Sequence, residues 1–226
     1  MPVERNKAPG KSDLEIVTVS DYWSVLAKSW DRPYIGLIAR IPPRLWREIR
    51  KFQDKLRSVD DRQVFADLST LHIPVKGLGL LGERFTAEKE EQIFEKISKI
   101  VSDFPAFQVQ LKGVGVSPMS VHIRVTDTSQ TLRSINKRIC KALEGDIDTS
   151  PYDGDSYVPC VTIVSFTSED ASKIMEFVDS IESREMYFGE ASIFELEAVE
   201  AKMHFAFGGE DTQPDTFSYV RSFSLR

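Results

Sequence analysis

Two short stretches of the chain carry side chains of the types that hold or transform polar ligands. His72 and Lys76 lie in the stretch 71–79, and Cys160 and Thr162 lie in the stretch 159–164. Apolar residues occupy the alternate positions, which is typical of a strand with one buried face. Side chains two or four positions apart on a strand project to the same side. We therefore expect each pair to project together, and two such strands facing each other would form one polar pocket.

The residues around these positions resemble the paired motifs of the 2H phosphoesterase superfamily, in particular its 2′–5′ RNA ligase-like branch. That family carries the motif His-x-Thr-x twice, once in each half of a duplicated fold. The first stretch here reads Leu-His-Ile-Pro-Val-Lys-Gly-Leu-Gly, with His72 in place but Pro74 where the family has threonine. The second reads Pro-Cys-Val-Thr-Ile, with Thr162 in place but Cys160 where the family has histidine.

The resemblance implies a metal-independent chemistry with no cofactor. In the family, the phosphate of a 2′,3′-cyclic ribonucleotide end or of a 2′–5′ linkage lies between the two histidines. One histidine acts as general base and the other as general acid, a pairing that suits a side chain with a pKa near 6.5. The two threonines hold the non-bridging oxygens. By this resemblance His72 is the candidate catalytic residue and Thr162 a candidate phosphate ligand, while Lys76, on the face of His72, is a further candidate phosphate contact.

Both substitutions predict impaired catalysis. The thiol of Cys160 has an ordinary pKa near ~8.5 and is a weak acid, and losing one member of an acid–base pair typically costs ~10²–10⁴ in rate. Pro74 has neither a hydroxyl nor a backbone N–H, which removes one phosphate contact worth roughly 1–3 kcal/mol. We therefore expect a protein that binds RNA or nucleotide ends with a 2′,3′-cyclic or 2′-phosphate and has impaired or lost phosphodiesterase activity.

Two alternatives remain open from the sequence. The first is an active cyclic phosphodiesterase or 2′–5′ RNA ligase in which His72 works with a substitute group, either a thiol or His122. His122 and Arg124 share one face of a predicted strand, and that face points either into the cleft or to solvent. The second alternative is a non-catalytic protein-interaction module, with a protein partner bound through an N-terminal extension at residues 1–32 that contains Trp23 and Trp30.

The pattern of predicted elements repeats along the chain and supports an internal duplication. Each half reads strand, helix, motif strand, helix, strand, and the spacing from the first strand to the motif is nearly the same in both halves. The predicted elements are a strand at 34–41, a helix at 43–58, a strand at 69–79, a helix at 87–103 and a strand at 107–111, then a strand at 121–125, a helix at 132–143, a strand at 158–166, a helix capped by Ser168, and strands at 191–199 and 219–225. We predict an α+β fold: one duplicated, bilobal domain over residues 33–226, with two antiparallel sheets facing a central cleft and helices outside.

The overall composition restricts the partners and the cellular compartment that we expect for this domain. The net charge of −6 argues against a broad, non-specific nucleic-acid surface but allows a pocket for one RNA end. The chain has no apolar run of the ~20 residues that a membrane span needs, and its first residues lack the apolar segment of a signal peptide. With two cysteines, which suit a reducing compartment, we expect a cytoplasmic protein. The three histidines show no metal-ligand spacing.

Overall fold

The computed structural model describes residues 33–80, 85–150, 152–167, 170–181, 183–202 and 216–226. In chain order, its strands are β1 (Tyr34–Arg40), β2 (Val64–Phe65), β3 (His72–Leu80), β4 (Phe107–Ser117), β5 (Ser120–Thr126), β6 (Cys160–Ser165), β7 (Tyr187–Ile193), β8 (Glu195–Lys202) and β9 (Thr216–Ser224). Its helices are α1 (Trp46–Val59), α2 (Ala87–Val101), α3 (Thr131–Ala142) and α4 (Ser172–Ser180). Our expectations for the extension 1–32 and for Ser168 fall outside the described residues.

The strands form two antiparallel sheets, which confirms the predicted α+β fold. Sheet A has four strands in the order β3-β1-β8-β9, and sheet B has five in the order β2-β6-β5-β4-β7. The first motif strand, β3, is an edge strand of sheet A. The second motif strand, β6, lies beside the short edge strand β2 in sheet B, and β3 and β6 contact each other where the sheets meet. None of the helices in the described ranges is long and apolar enough to cross a membrane.

The two halves of the duplication are interlocked. β4 follows the first motif strand in the chain but joins sheet B, while β8 and β9 from the second half join sheet A. The helices follow the same rule, because α1 packs on β6 and α4, and α3 packs on β3 and α2. Each motif strand is therefore backed by a helix from the other half.

Two buried amides fix these helices to the motif strands. On α1, Gln53 donates through Nε2 to the carbonyl of Ile163 on β6 at 3.0 Å. On α3, Asn136 donates through Nδ2 to the carbonyl of Val75 on β3 at 2.8 Å. Both amides are fully buried, and each accepting carbonyl lies three residues after the first motif position, His72 or Cys160. These equivalent bonds hold both motif strands in one register relative to their helices, since a buried donor left unpaired is costly.

The start and the buried face of helix α1 follow from local sequence features. Pro43 opens a short 3₁₀ turn, Pro43–Leu45, in which its missing N–H costs nothing, and the chain continues directly into α1. Ile49, Phe52 and Leu56 follow at helical spacing and are all buried. The helix predicted at 43–58 is thus confirmed, with its first three residues in the 3₁₀ turn.

The strand predicted at 191–199 is wrong as a single element. The structure has two strands there, β7 in sheet B and β8 in sheet A, separated by Phe194, whose side chain is largely exposed. Buried positions alternate up to Ile193 and resume at Leu196, so the period of two is broken where the chain crosses between sheets. Helix α4 also begins later than predicted, at Ser172 after Ala171.

Candidate functional site

Both motif strands direct their predicted functional side chains away from the core. On β3, Ile73 and Val75 are buried in the core, and on β6, Val161 and Ile163 are buried. Because side chains alternate along a strand, the opposite faces carry the polar residues of both motifs. These are His72, Pro74 and Lys76 on β3, and Cys160 and Thr162 on β6.

A cavity of about 660 Å³ opens between the two strands. Pro74 and Lys76 line it from β3, and Cys160 and Thr162 line it from β6. Much of its remaining wall comes from the loop of residues 148–150 and 152–158, which we call the cavity loop, and Tyr34 and Asn136 also line the cavity. The structure therefore brings four of the predicted site residues to one cavity, while His72 lies one step further along the same face of β3.

The environment of His72 sets its protonation state. Its Nδ1 lies 2.7 Å from the carbonyl oxygen of Thr70. A carbonyl only accepts, so Nδ1 carries the proton and Nε2 of the neutral ring is an unprotonated acceptor. The half-buried ring packs edge-on against Phe217, with centroids 4.9 Å apart. Burial lowers the pKa of His72 and outweighs the opposing effect of the hydrogen bond to Thr70, and the charge of Arg40 acts in the same direction as burial. The neutral ring is therefore favoured at pH 7.

An arginine lies opposite the first position of each motif. Arg40 on β1 pairs in register with His72, and Arg124 on β5 pairs in register with Cys160. Arg40 is neutralised by Glu197, whose Oε2 lies 2.6 Å from Nε. Within the described part of the chain, Arg124 has no ion pair or hydrogen bond and is exposed. Sheet B therefore offers a free cation beside Cys160, because paired residues on adjacent strands project to the same face.

The second motif lacks a group that titrates near neutral pH. Cys160 is half-buried, and burial raises the pKa of its thiol. His122 pairs in register with Thr162 and shares its sheet face. Its ring lies over Gly115 on β4, where an added methyl group would collide with it, so the imidazole leans away from β6. Burial and the charge of Arg124 lower the pKa of His122.

The ammonium of Lys76 is held inside the protein. The side chain is 2% exposed, and Nζ lies 2.7 Å from Oδ2 of Asp153 and 2.7 Å from the carbonyl oxygen of Asp148. Burial alone would raise the pKa of Asp153, but hydrogen bonds from Lys76 and from the N–H of Ser150 outweigh it and lower that pKa. Two of the three N–H donors of Lys76 are thus committed to the cavity loop.

The family model of the 2'-5' RNA ligase superfamily matches residues 41–219. The chain belongs to this superfamily. The fold agrees with solved structures: E. coli LigT complexed with 3'-AMP aligns with 86% of this chain and 98% of its own at 14% identity and a TM-score of 0.64. The protein TT0787 of Thermus thermophilus aligns with 85% and 98% at 14% identity and a TM-score of 0.63. The resemblance to 2H phosphoesterases drawn from the motifs is confirmed.

Residues that the motifs did not reveal also hold the cavity together. Asp153 accepts a hydrogen bond from Lys76, and Asn136 accepts at Oδ1 from the N–H of Gly154 in the cavity loop at 2.7 Å. The hydroxyl of Tyr157 donates to the carbonyl oxygen of Pro74 at 2.8 Å. The only sequence signal was the abundance of Asp, Ser, Gly and Tyr between α3 and β6, which predicts a loop but not its contacts with β3.

Proposed function

We propose that this superfamily member binds a nucleotide or RNA end carrying a 2′,3′-cyclic phosphate or a 2′-phosphate, with impaired phosphodiesterase chemistry. One observation carries the proposal: the two motif strands share a cavity, but the position that should complement His72 holds Cys160, a half-buried thiol with a raised pKa. E. coli LigT, which has the same fold, has been crystallised with phosphate and with 3'-AMP. These ligands support the nucleotide class for this chain.

The phosphate is proposed to lie between His72 on sheet A and Arg124 and Thr162 on sheet B. Arg124 supplies a permanent charge with several donors, which suits phosphate oxygens. Thr162 supplies the hydroxyl retained from the second motif. His72 completes the site once Nε2 takes up a proton, because its free lone pair would otherwise face the anion. A direct contact from Lys76 stays a prediction, since two of its donors already bind the cavity loop.

Impaired catalysis follows from the acid–base requirement. The reaction needs one group to remove a proton and another to deliver one to the leaving oxygen. His72 can fill only one of these roles: the first while its Nε2 is unprotonated, or the second once Nε2 has taken up a proton. A thiol with a raised pKa is a poor partner for the remaining role, and an arginine does not release its proton near neutral pH. The alternative of an active enzyme that uses His122 is disfavoured by its ring, which leans over β4.

The match over residues 41–219 supports the proposed division into a domain at 33–226 and an extension at 1–32. We propose RNA or a free nucleotide as the partner of the domain. A protein partner for the extension stays a prediction. The cytoplasm is the proposed compartment, since Cys140 and Cys160 are both free thiols.

Isothermal titration calorimetry with 2′,3′-cyclic CMP tests the binding site. We expect saturable binding that weakens by about 10-fold in Arg124→Gln, the loss of one charge-assisted contact. Arg47→Gln is the matched control, because Arg47 is exposed on α1 outside the cavity, and it should leave the affinity unchanged. No heat with the wild-type protein, or equal losses in both variants, would overturn the proposed site.

A further inference from the structure

We infer that the cavity loop forms a nucleobase subsite, in which Tyr152 stacks on the base and Asp148 selects bases that carry an exocyclic amino group. The inference rests on the proposed function, because it assigns the second end of the same nucleotide. The preferred substrates are nucleotides of adenine, cytosine or guanine, and those of uracil bind more weakly.

Tyr152 places a large aromatic ring at the rim of the cavity. Its side chain is 72% exposed while it lines the cavity. Val158, 71% exposed, lines the same cavity and extends the apolar surface. Exposing an aromatic ring to water is unfavourable unless a ligand covers it, and a nucleobase has the flat apolar face that such a ring stacks on.

The loop that carries Tyr152 is fixed before any ligand arrives. Asp153, the next residue, accepts from Lys76 and from the N–H of Ser150, at 2.7 and 2.8 Å. The N–H of Tyr152 donates to the Ser150 hydroxyl at 3.2 Å. The buried Lys76 ammonium therefore acts as a positioning group for the loop, and a pre-ordered platform loses little conformational entropy on binding.

The charges of the cavity orient the nucleotide. Asp148 lines the cavity, and its carboxylate lies over Gly79 of β3. Within the described residues this carboxylate has no hydrogen-bond partner, and Lys76 binds the backbone carbonyl of Asp148. A free carboxylate repels a phosphate and accepts hydrogen bonds from an amino group. The phosphate is thereby directed to Arg124 and His72, and the base to the cavity loop.

Uracil and cytosine test the selection, since they have the same size but differ in the C4 substituent. We expect 2′,3′-cyclic CMP to bind about 10-fold or more tightly than 2′,3′-cyclic UMP, the effect of one hydrogen bond to a charged group. Asp148→Asn should abolish this preference, because its amide also offers donors. Tyr152→Ala should weaken the binding of both nucleotides by about 5- to 150-fold, the range of base–aromatic stacking. Tyr152→Phe keeps the aromatic ring and should bind both nucleotides like the wild type.

Tyr187→Ala is the matched control, because Tyr187 is an exposed tyrosine on β7 that does not line this cavity. Equal affinity for both nucleotides, together with an unchanged affinity in Tyr152→Ala, would overturn the inference and leave the phosphate site standing. Cytidine binding as tightly as its cyclic phosphate, with loss in Tyr152→Ala, would support the base subsite and overturn the phosphate site. Failure of every nucleotide and nucleoside to bind would overturn both.

Discussion

Replacing Lys76 by methionine tests whether its buried ion pair holds the cavity loop in place. Methionine keeps much of the side-chain volume but removes the ammonium and both of its 2.7 Å contacts. The Asp153 carboxylate, 17% exposed, would then keep only the Ser150 N–H and the Asn136 amide. Removing one partner of a buried pair costs roughly 3–5 kcal/mol. Because Asp153 keeps these two hydrogen bonds, we expect Lys76→Met to lower the free energy of unfolding by about 3 kcal/mol, the lower end of this range.

A double-mutant cycle separates the ion pair from other effects of the substitution. Asp153→Asn should also destabilise the fold, but the double variant should lose about 1.5–3 kcal/mol less than the sum of the two single changes. Urea unfolding followed by circular dichroism measures all four proteins. Lys51→Met is the control, since Lys51 makes an exposed pair with Glu48 and its loss should leave the midpoint nearly unchanged.

The contribution of Asp153 to the stability of the fold depends on pH. The pKa of Asp153 is lowered in the folded protein, so its contribution is present above the unfolded value near ~3.9 and is lost as the pH falls through the folded pKa. The stability difference between wild type and Asp153→Asn should therefore shrink from pH 7 to pH 3. Additive single losses, or a cost below ~1 kcal/mol for Lys76→Met at pH 7, would refute this role of Lys76.

Two further predictions follow from the histidines. Because the pKa of His72 is lowered and Nε2 is unprotonated, phosphate binding should take up one proton, and affinity should rise by up to ~10-fold per unit as pH falls from 8 to 6. Calorimetry in buffers of different ionisation enthalpy would detect the proton, and His72→Gln should abolish it. Gly115→Ala should destabilise the fold by about 1–3 kcal/mol, since the new methyl group meets the His122 ring. Gly36→Ala is the control, because a methyl group at Gly36 would point into open space. Urea unfolding compares the two variants, and equal losses of stability would contradict the packing of His122 over Gly115.

The faces of the motif strands were predictable because a period of two is a local property. Alternation of apolar residues is enough to place His72 with Lys76 and Cys160 with Thr162. The repeated order of elements likewise predicted two sheets, because each repeat carries its own set of alternating strands. The contacts that complete the site could not be predicted from the sequence. Lys76 meets Asp153 through a tertiary contact, and no local pattern encodes which loop covers which strand.

The exchange of strands between the halves was also hidden. The alternation of Phe107, Val109 and Leu111 predicts β4 but not that β4 pairs with β5 and β7 in the other sheet. Register across sheets depends on long-range hydrogen bonds that a sequence pattern does not specify. The passage of the chain from sheet B to sheet A at Phe194 has one signal in the sequence, the loss of alternation between Ile193 and Leu196. The prediction of a single strand does not account for this signal.

The most direct test of the central claim is a ³¹P NMR time course of 2′,3′-cyclic CMP with the wild-type protein and with Pro74→Thr/Cys160→His. We expect the wild-type protein to perturb the cyclic-phosphate resonance but to leave the cyclic phosphate almost unconverted. The double variant should produce the monophosphate at least ~10²-fold faster, and adding His72→Ala should abolish that gain. Conversion by the wild type at rates typical of enzymes, about 1 s⁻¹ or more, and its loss in His72→Ala would contradict the claim that the substituted motifs impair catalysis.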